Sequence, residues 1–170
     1  MDVALVELPP SDELLLDRLM QLYAYDFSEF MGWDVDDTGR FPVGTPLASC
    51  WTTPWRHAFL IRAESHIAGF MTLDERSRLT GDPTVVDVAE LFVLRHYRRK
   101  GVGASAATRA FSMYPRSWEV RQTIANTAAT AFWRRTIATY TDGVFSETLL
   151  DDARWHGPVQ SFDSRRGHGM

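Results

Sequence analysis

Apolar and polar positions along this chain recur with two periods, and the switches between them mark out about ten elements. Val3-Ala4-Leu5-Val6-Glu7-Leu8 is a short strand, stopped by Pro9-Pro10. Ser11 offers a helix N-cap, with Asp12 and Glu13 placed for the helix dipole. Leu16, Leu19, Met20, Tyr23, Phe27 and Phe30 then follow helical spacing, one apolar stripe with Tyr25, Asp26 and Glu29 beside it. The period fails from Met31 to Pro54, where Gly, Pro and Asp punctuate a connection long enough to be functional or to hold a short helix. His57 to Glu64 and Ile67 to Leu73 read as two strands joined by a turn at Ser65-His66.

A polar loop from Glu75 to Pro83 leads into a run rich in β-branched residues, Val85 to Leu94, which reads as a buried strand. A helix follows from Gly103 to Met113, ended by Pro115. Ser117 to Ile124 is the next strand and Asn126 to Thr139 the next helix. Val144 to Leu150 and Pro158 to Phe162 close the pattern as strands, and Ser164 to Met170 is a polar tail. No internal repeat or low-complexity stretch interrupts this order.

Between the buried strand and its helix lies the most informative segment. Arg95 to Lys100 is basic, Gly101-Val102-Gly103 follows, and Ala104 to Ala107 begin a helix with very small side chains. Glycines remove Cβ atoms where a chain must curl, and the first-turn N–H groups of a helix have no helical acceptor. Together they form a seat for an anion such as a polyphosphate.

Composition narrows the partners. A length of 170 residues favours one domain spanning 1–170, and 45% hydrophobic with 24% charged residues is ordinary for a globular protein. A formal charge of −4 argues against a broad nucleic-acid surface, so the basic turn is a local feature. Cys50 is the sole cysteine, which fits a reducing cytoplasm and rules out an intrachain disulfide. No apolar run reaches the ~18 residues of a membrane span, and the N-terminus lacks a signal-peptide pattern. The histidines show no metal-like pairing, so no metal is expected. Ser105 and Ser112 lie in no nucleophile elbow.

Two motifs compete for the glycines. Gly101-Val-Gly103-Ala-Ser-Ala106 satisfies the short dinucleotide pattern, but six residues separate it from the strand and no second βαβ run follows. Arg98-Arg99-Lys100-Gly101-Val102-Gly103 fits R-x-x-G-x-G after a strand ending Glu90-Leu91-Phe92-Val93. With the small-residue helix, this closely resembles the acetyl-CoA-binding motif of the GCN5-related N-acetyltransferases (the GNAT superfamily). Downstream, Asn126-Thr-Ala-Ala129-Thr-Ala-Phe132-Trp133 is similar to the family's second cofactor element. The clear match spans Thr84 to Arg135.

This resemblance implies an α/β (α+β) GNAT fold, a mixed central sheet of about six to seven strands flanked by about four helices. It implies acetyl-CoA as cofactor, in the splay between the fourth and fifth strands, its pyrophosphate on the amides from Arg99 to Ala104. Phe92, Val93, Arg98, Arg99, Lys100, Gly101, Val102, Gly103, Ala104, Asn126 and Phe132 are then the cofactor-binding residues. Asn126 suits both roles open to it, N-cap and ligand. The activity implied is direct transfer of an acetyl group to a primary amine of a small molecule or peptide, in the cytoplasm, by a protein of a family whose members often dimerise. Rival readings are a non-catalytic CoA-sensing module and an acyltransferase of the same fold using another acyl donor.

Glu90 is the expected base, because a carboxylate on an apolar strand takes a raised pKa and then suits deprotonation of an ammonium. Strict alternation would set it on one face with Val88 and Phe92, and a salt bridge to a nearby arginine is its structural alternative. Trp133 stands where the family usually has a proton-donating tyrosine, and an indole N–H has no acidity to offer. Tyr140, about two turns further along the helix, is therefore the candidate acid. Tyr25, Asp26, Glu29 and Trp133 are candidates for contact with the amine acceptor.

Overall fold

A computed structural model describes residues 1–42 and 47–166. The predicted order survives, with boundaries moved by a few residues. The strands are β1 (Val3–Glu7), β2 (Arg56–Ala63), β3 (His66–Asp74), β4 (Val85–Val93), β5 (Ser117–Arg121), β6 (Ser146–Asp151) and β7 (His156–Asp163). The helices are α1 (Glu13–Met31), a four-residue α2 (Ser49–Thr52), α3 (Val102–Met113) and α4 (Thr127–Tyr140). One sheet of seven strands runs β1-β2-β3-β4-β5-β7-β6, with β4 and β5 parallel and all other neighbours antiparallel.

Several local readings shift. Pro10–Asp12 forms a 3₁₀ turn, so Asp12 rather than Ser11 occupies the cap position of α1, and its side chain makes no capping bond. The hairpin between β2 and β3 turns at Glu64-Ser65, one residue earlier than expected, because Ala63 pairs with His66. Glu64 takes the left-handed φ of 54° that this tight turn demands. The fifth strand stops at Arg121 instead of Ile124. Part of the Met31–Pro54 connection, residues 43–46, and the end of the polar tail, residues 167–170, lie outside the described residues.

The sheet separates two cores. On one face α1 buries Leu16, Leu19 and Met20 against Leu60, Phe70 and Phe92. On the other, α3 and α4 cover the larger core, where Ala106, Ala107 and Ala110 are fully buried. Their lack of bulk lets α3 sit close to the sheet. Phe111 packs edge-on to Phe162 and Trp118, with centroids 4.8 and 4.9 Å apart. Each such ring removed from water contributes about 1.5–3 kcal/mol.

Strand β4 breaks the alternation that its sequence suggests. Thr72 pairs with Glu90 but Leu73 pairs with Val88, so Ala89 is an inserted residue, a β-bulge. Val86 and Val88 belong to the α3/α4 core, and beyond the bulge Leu91 and Val93 pack against that same core. Phe92 joins the α1 core instead. Glu90 therefore shares its face with Phe92, as expected, but not with Val88. One extra residue turns the carboxylate toward α1.

Candidate functional site

Pairing between β4 and β5 covers only Val85–Val88 against Ser117–Val120. β4 continues to Val93, whereas β5 ends at Arg121. The two strands therefore part just where the bulge lies, and alternate main-chain groups of β4 beyond Val88 have no strand on that side. A cavity of about 870 Å³ occupies this wedge and passes from the α3/α4 side of the sheet to the α1 side.

At the α3 end the cavity is bounded by main chain. Gly101 has a left-handed φ of 81°, which glycine adopts without steric cost, and Arg99 nearby shares that region at 60°. The first helical bond of α3 runs from Ser105 N to Gly101 O at 2.9 Å, so the N–H groups of Val102, Gly103 and Ala104 have no helical acceptor. A Cβ added at Gly103 would lie 3.3 Å from the Phe132 ring and 3.4 Å from Val93, tightening the passage. Across the wedge, Asn126 caps α4 by accepting from Ala129 N at 3.1 Å. Thr123, also in the lining, carries the one buried side-chain polar atom without a partner among the described residues, its Oγ1. An orphaned hydroxyl in a cavity wall suits a polar guest.

At the α1 end the boundary is made of side chains. Tyr23 donates a hydrogen bond to Glu90 Oε2. Burial pushes the Glu90 carboxyl above the usual carboxylate range; Tyr23, Arg78 and Arg121 pull it back without cancelling that effect. Burial, then the Glu90 charge, holds the Tyr23 phenol far above its ordinary pKa, so it stays a donor. Rings continue outward from Tyr23: Phe92 at 6.0 Å on one side, Phe27 at 5.2 Å on the other, then Phe30 and Trp33 at 5.9 and 5.7 Å from Phe27.

The charged groups around this end are nearly all paired. Arg121 grips the fully buried Asp87 with two bonds of 3.0 and 3.2 Å, and its guanidinium lies 4.6 Å from the Trp155 ring. Burial raises the Asp87 carboxyl despite that partner. Arg78 meets Asp74 at 3.0 Å. Asp26 is held by Arg95 at 2.7 Å and by Arg98. Burial alone would raise the Asp26 carboxyl, but the two arginines carry it below its ordinary value.

Most of the expected residues meet in this cavity: Glu90, Phe92, Val93, Arg98, Arg99, Gly101, Gly103, Ala104, Asn126, Phe132, Asp26 and Trp133. Five do not line it. Lys100 is exposed, and Val102 is buried in the core under α3. Tyr25 and Glu29 point outward from α1, with Tyr25 against Phe41. Tyr140 lies on the far side of α4, 3.3 Å from Ser112 and edge-on to Phe111, beside a different depression. It shares a helix face with Trp133, but two turns of helix carry it away from Glu90.

Two further placements refine the reading. The Arg98 guanidinium is tied to Val93 O at 2.7 Å and to Asp26, so it clamps β4 to α1 rather than standing free for a phosphate. Trp133 lies within the α3/α4 core, T-shaped to Phe132 at 5.0 Å, and so forms a wall of the glycine end, not of the α1 end. Sequence reasoning missed Tyr23, Arg78, Arg121, Thr123 and Trp155. Only Tyr23 carried a signal, as the one member of the α1 stripe with a polar tip.

The sequence matches the model of the acetyltransferase (GNAT) family over residues 16–137. Among solved structures the fold is similar to an acetyltransferase from Thermus thermophilus, with a TM-score of 0.68 at 16% identity over 96% of this chain and 97% of that one. It is similar also to spermidine N-acetyltransferase from Vibrio cholerae in complex with CoA and spermine, with a TM-score of 0.63 at 11% identity over 97% of each chain. An acetyltransferase of the GNAT family from Staphylococcus aureus gives 0.61 at 12% identity, over 96% of this chain and 99% of that one. No curated protein matches the sequence.

Proposed function

The chain belongs to the acetyltransferase (GNAT) family, and from that premise we propose that it is an acetyl-CoA-dependent N-acetyltransferase acting on a primary amine. The observation that carries this reading is the one cavity joining a phosphate seat to a half-buried carboxylate of raised basicity.

The residues present fit the cofactor. Free amides at the start of α3 suit its pyrophosphate, with the helix dipole adding to the attraction. The small Gly103 keeps the passage beside Phe132 open, and the orphaned Thr123 hydroxyl and Asn126 stand ready for its amide-bearing arm. Bound there, acetyl-CoA supplies an activated acetyl group whose C–S bond is exchanged for a C–N bond to the amine.

The chain's own part is proton handling and exclusion of water. An acceptor arrives as an ammonium, and only its neutral form has a lone pair to offer. Glu90, its basicity raised by burial, takes that proton directly or through a water. Tyr23 fixes the carboxylate's orientation and stays protonated while doing so. Unpaired main-chain N–H groups of β4 beyond the bulge are available to a developing oxyanion. No dedicated acid is needed on the thiolate, because a thiol with an ordinary pKa of about 8.5 leaves adequately without one.

This reading includes the homodimer that the family resemblance implies, which sedimentation velocity tests. Trp133 in the place of a tyrosine favours, as a second reading, a module that binds CoA without turnover. Thiol release on mixing the protein with acetyl-CoA and a panel of primary amines separates the two. Release above the rate without protein supports transfer; cofactor binding without release, across the panel, overturns it. Competition among acyl-CoAs identifies the donor.

A further inference from the structure

The α1 end of the cavity shows what kind of amine belongs there. This inference rests on the amine-transfer reading above and narrows its substrate class. Two features act together. The first is the charge pattern. Among the described residues, Asp26 and Glu90 are the only carboxylates in the lining, and Asp26 is already held by Arg95 and Arg98. Asp74 and Asp87, just behind the lining, are committed to Arg78 and Arg121. Of these four, Glu90 alone makes no ion pair among the described residues; it is hydrogen-bonded to a phenol.

No second anion in the cavity is therefore left to receive a second ammonium. Five arginines, Arg78, Arg98, Arg99, Arg121 and Arg135, face the same space, and neither Arg99 nor Arg135 makes an ion pair among the described residues. Arg78, Arg98 and Arg121 are neutralised by their carboxylates, so a polycation entering here gains one contact and finds no counter-ion for its further ammonium groups among the described residues. The acidic residues near the mouth, Glu29 and Asp34, are exposed and stand outside the lining.

The second feature is the ring series. Phe92, Tyr23, Phe27 and then Trp33 and Phe30 run without a gap from Glu90 to the mouth. At the mouth Phe30, Met31 and Trp33 remain 36%, 45% and 37% exposed. Large apolar groups left open beside a cavity mark a binding surface, since covering them removes apolar area from water. Offset and edge-on geometries between such rings suit a flat aromatic guest.

We infer that the acceptor is a primary monoamine on an aromatic or otherwise apolar body, its single ammonium on Glu90 and its body along Phe27 and Trp33. Polyamines are disfavoured, and the polyamine of the Vibrio enzyme does not carry over to this chain.

Two measurements on the full chain test this. Thiol release is followed with acetyl-CoA and, in turn, 2-phenylethylamine, octylamine and spermidine. Binding of the same amines to the CoA-loaded protein is followed by calorimetry. The expected result is a kcat/KM at least tenfold higher for the two monoamines than for spermidine. Trp33→Ala, a change at an exposed site, should raise KM for 2-phenylethylamine several-fold with kcat nearly unchanged. Preference for spermidine overturns the acceptor class while leaving the transferase reading intact. Monoamines that bind, with Trp33→Ala weakening them, while none of the three amines releases thiol overturn the transferase reading and uphold the monoamine as the ligand of this end. Failure of both monoamines to bind at millimolar concentration overturns the acceptor class whatever spermidine does.

Discussion

The two ends of the cavity are built from different materials. The glycine end is main chain: amides of α3, a left-handed Gly101, and a Gly103 whose value is the side chain it lacks. The α1 end is side chain: a carboxylate, a phenol and a series of rings, drawn from α1, the segment after it, and a bulged strand. The first suits a guest that never changes, since peptide groups recognise phosphate whatever surrounds them. The second suits a guest that differs between relatives, since single substitutions there alter shape and charge without touching the scaffold. Solved structures at 11–16% identity share the fold to TM-scores of 0.61–0.68, so the scaffold tolerates such variation.

The sharpest way to break this comparison is to damage each end alone. Glu90→Gln should lower turnover by roughly 10²–10⁴-fold with cofactor affinity nearly intact. Its stability is equally diagnostic. Glu90 binds its proton more tightly folded than unfolded, so as pH rises through about 4.3 the unfolded chain ionises first and folding loses free energy. The Gln variant escapes that loss. It should melt at or above the wild-type temperature at pH 7, with the gap closing below about pH 4. A large loss of Tm at pH 7 would make Glu90 a structural ion-pair partner instead.

At the other end, Gly103→Val should weaken acetyl-CoA binding at least tenfold, about 1.4 kcal/mol, because side-chain bulk would meet Phe132 and Val93. Calorimetry giving unchanged affinity in a folded variant would remove the cofactor from this loop. Tyr23→Phe should act more gently. Losing a donor that favours the charged carboxylate raises the Glu90 pKa further, so the acid limb of kcat/KM against pH moves to higher pH. A limb that stays in place would show that another group titrates.

The smallest effects belong to α4. Trp133→Phe should keep the chemical step within about tenfold, since the indole packs and does not titrate. Tyr140→Phe should change it by no more than about twofold, because its hydroxyl faces Ser112. A loss on the order of 10²-fold from Tyr140→Phe, in single-turnover measurements, would mean that the helix moves during turnover.

The contrast also explains what can be read in advance. Gly101, Gly103 and Asn126 act through backbone geometry within a short stretch, and such demands leave local patterns. Glu90 is legible as a carboxylate on an apolar strand and in its sharing a face with Phe92, but not in its parting from Val88, because period-two counting has no place for Ala89. Tyr23 meets Glu90 across a separation of 67 residues, and no local pattern encodes that meeting. Arg121 falls under the same difficulty, since its partner Asp87 sits on β4 and only the folded sheet sets β5 beside that strand; Arg78 meets Asp74 just four residues away, but in a polar loop with no period to place it. Tyr140 misleads for the converse reason: seven residues do preserve a helix face, but they add about 10 Å along the axis.

The early parting of β4 from β5 has a consequence for proton exchange with solvent. Amides of β4 that point toward β3 are locked in an antiparallel ladder, but those beyond Val88 that point toward β5 meet the cavity. Residues two apart on one strand should thus exchange with deuterium on very different timescales, slow on the β3 side and fast on the β5 side. A guest that fills the wedge closes only the fast set. Between Ala89 and Val93 the strand therefore carries its own isotopic reporter of occupancy, with its slow neighbours as an internal reference.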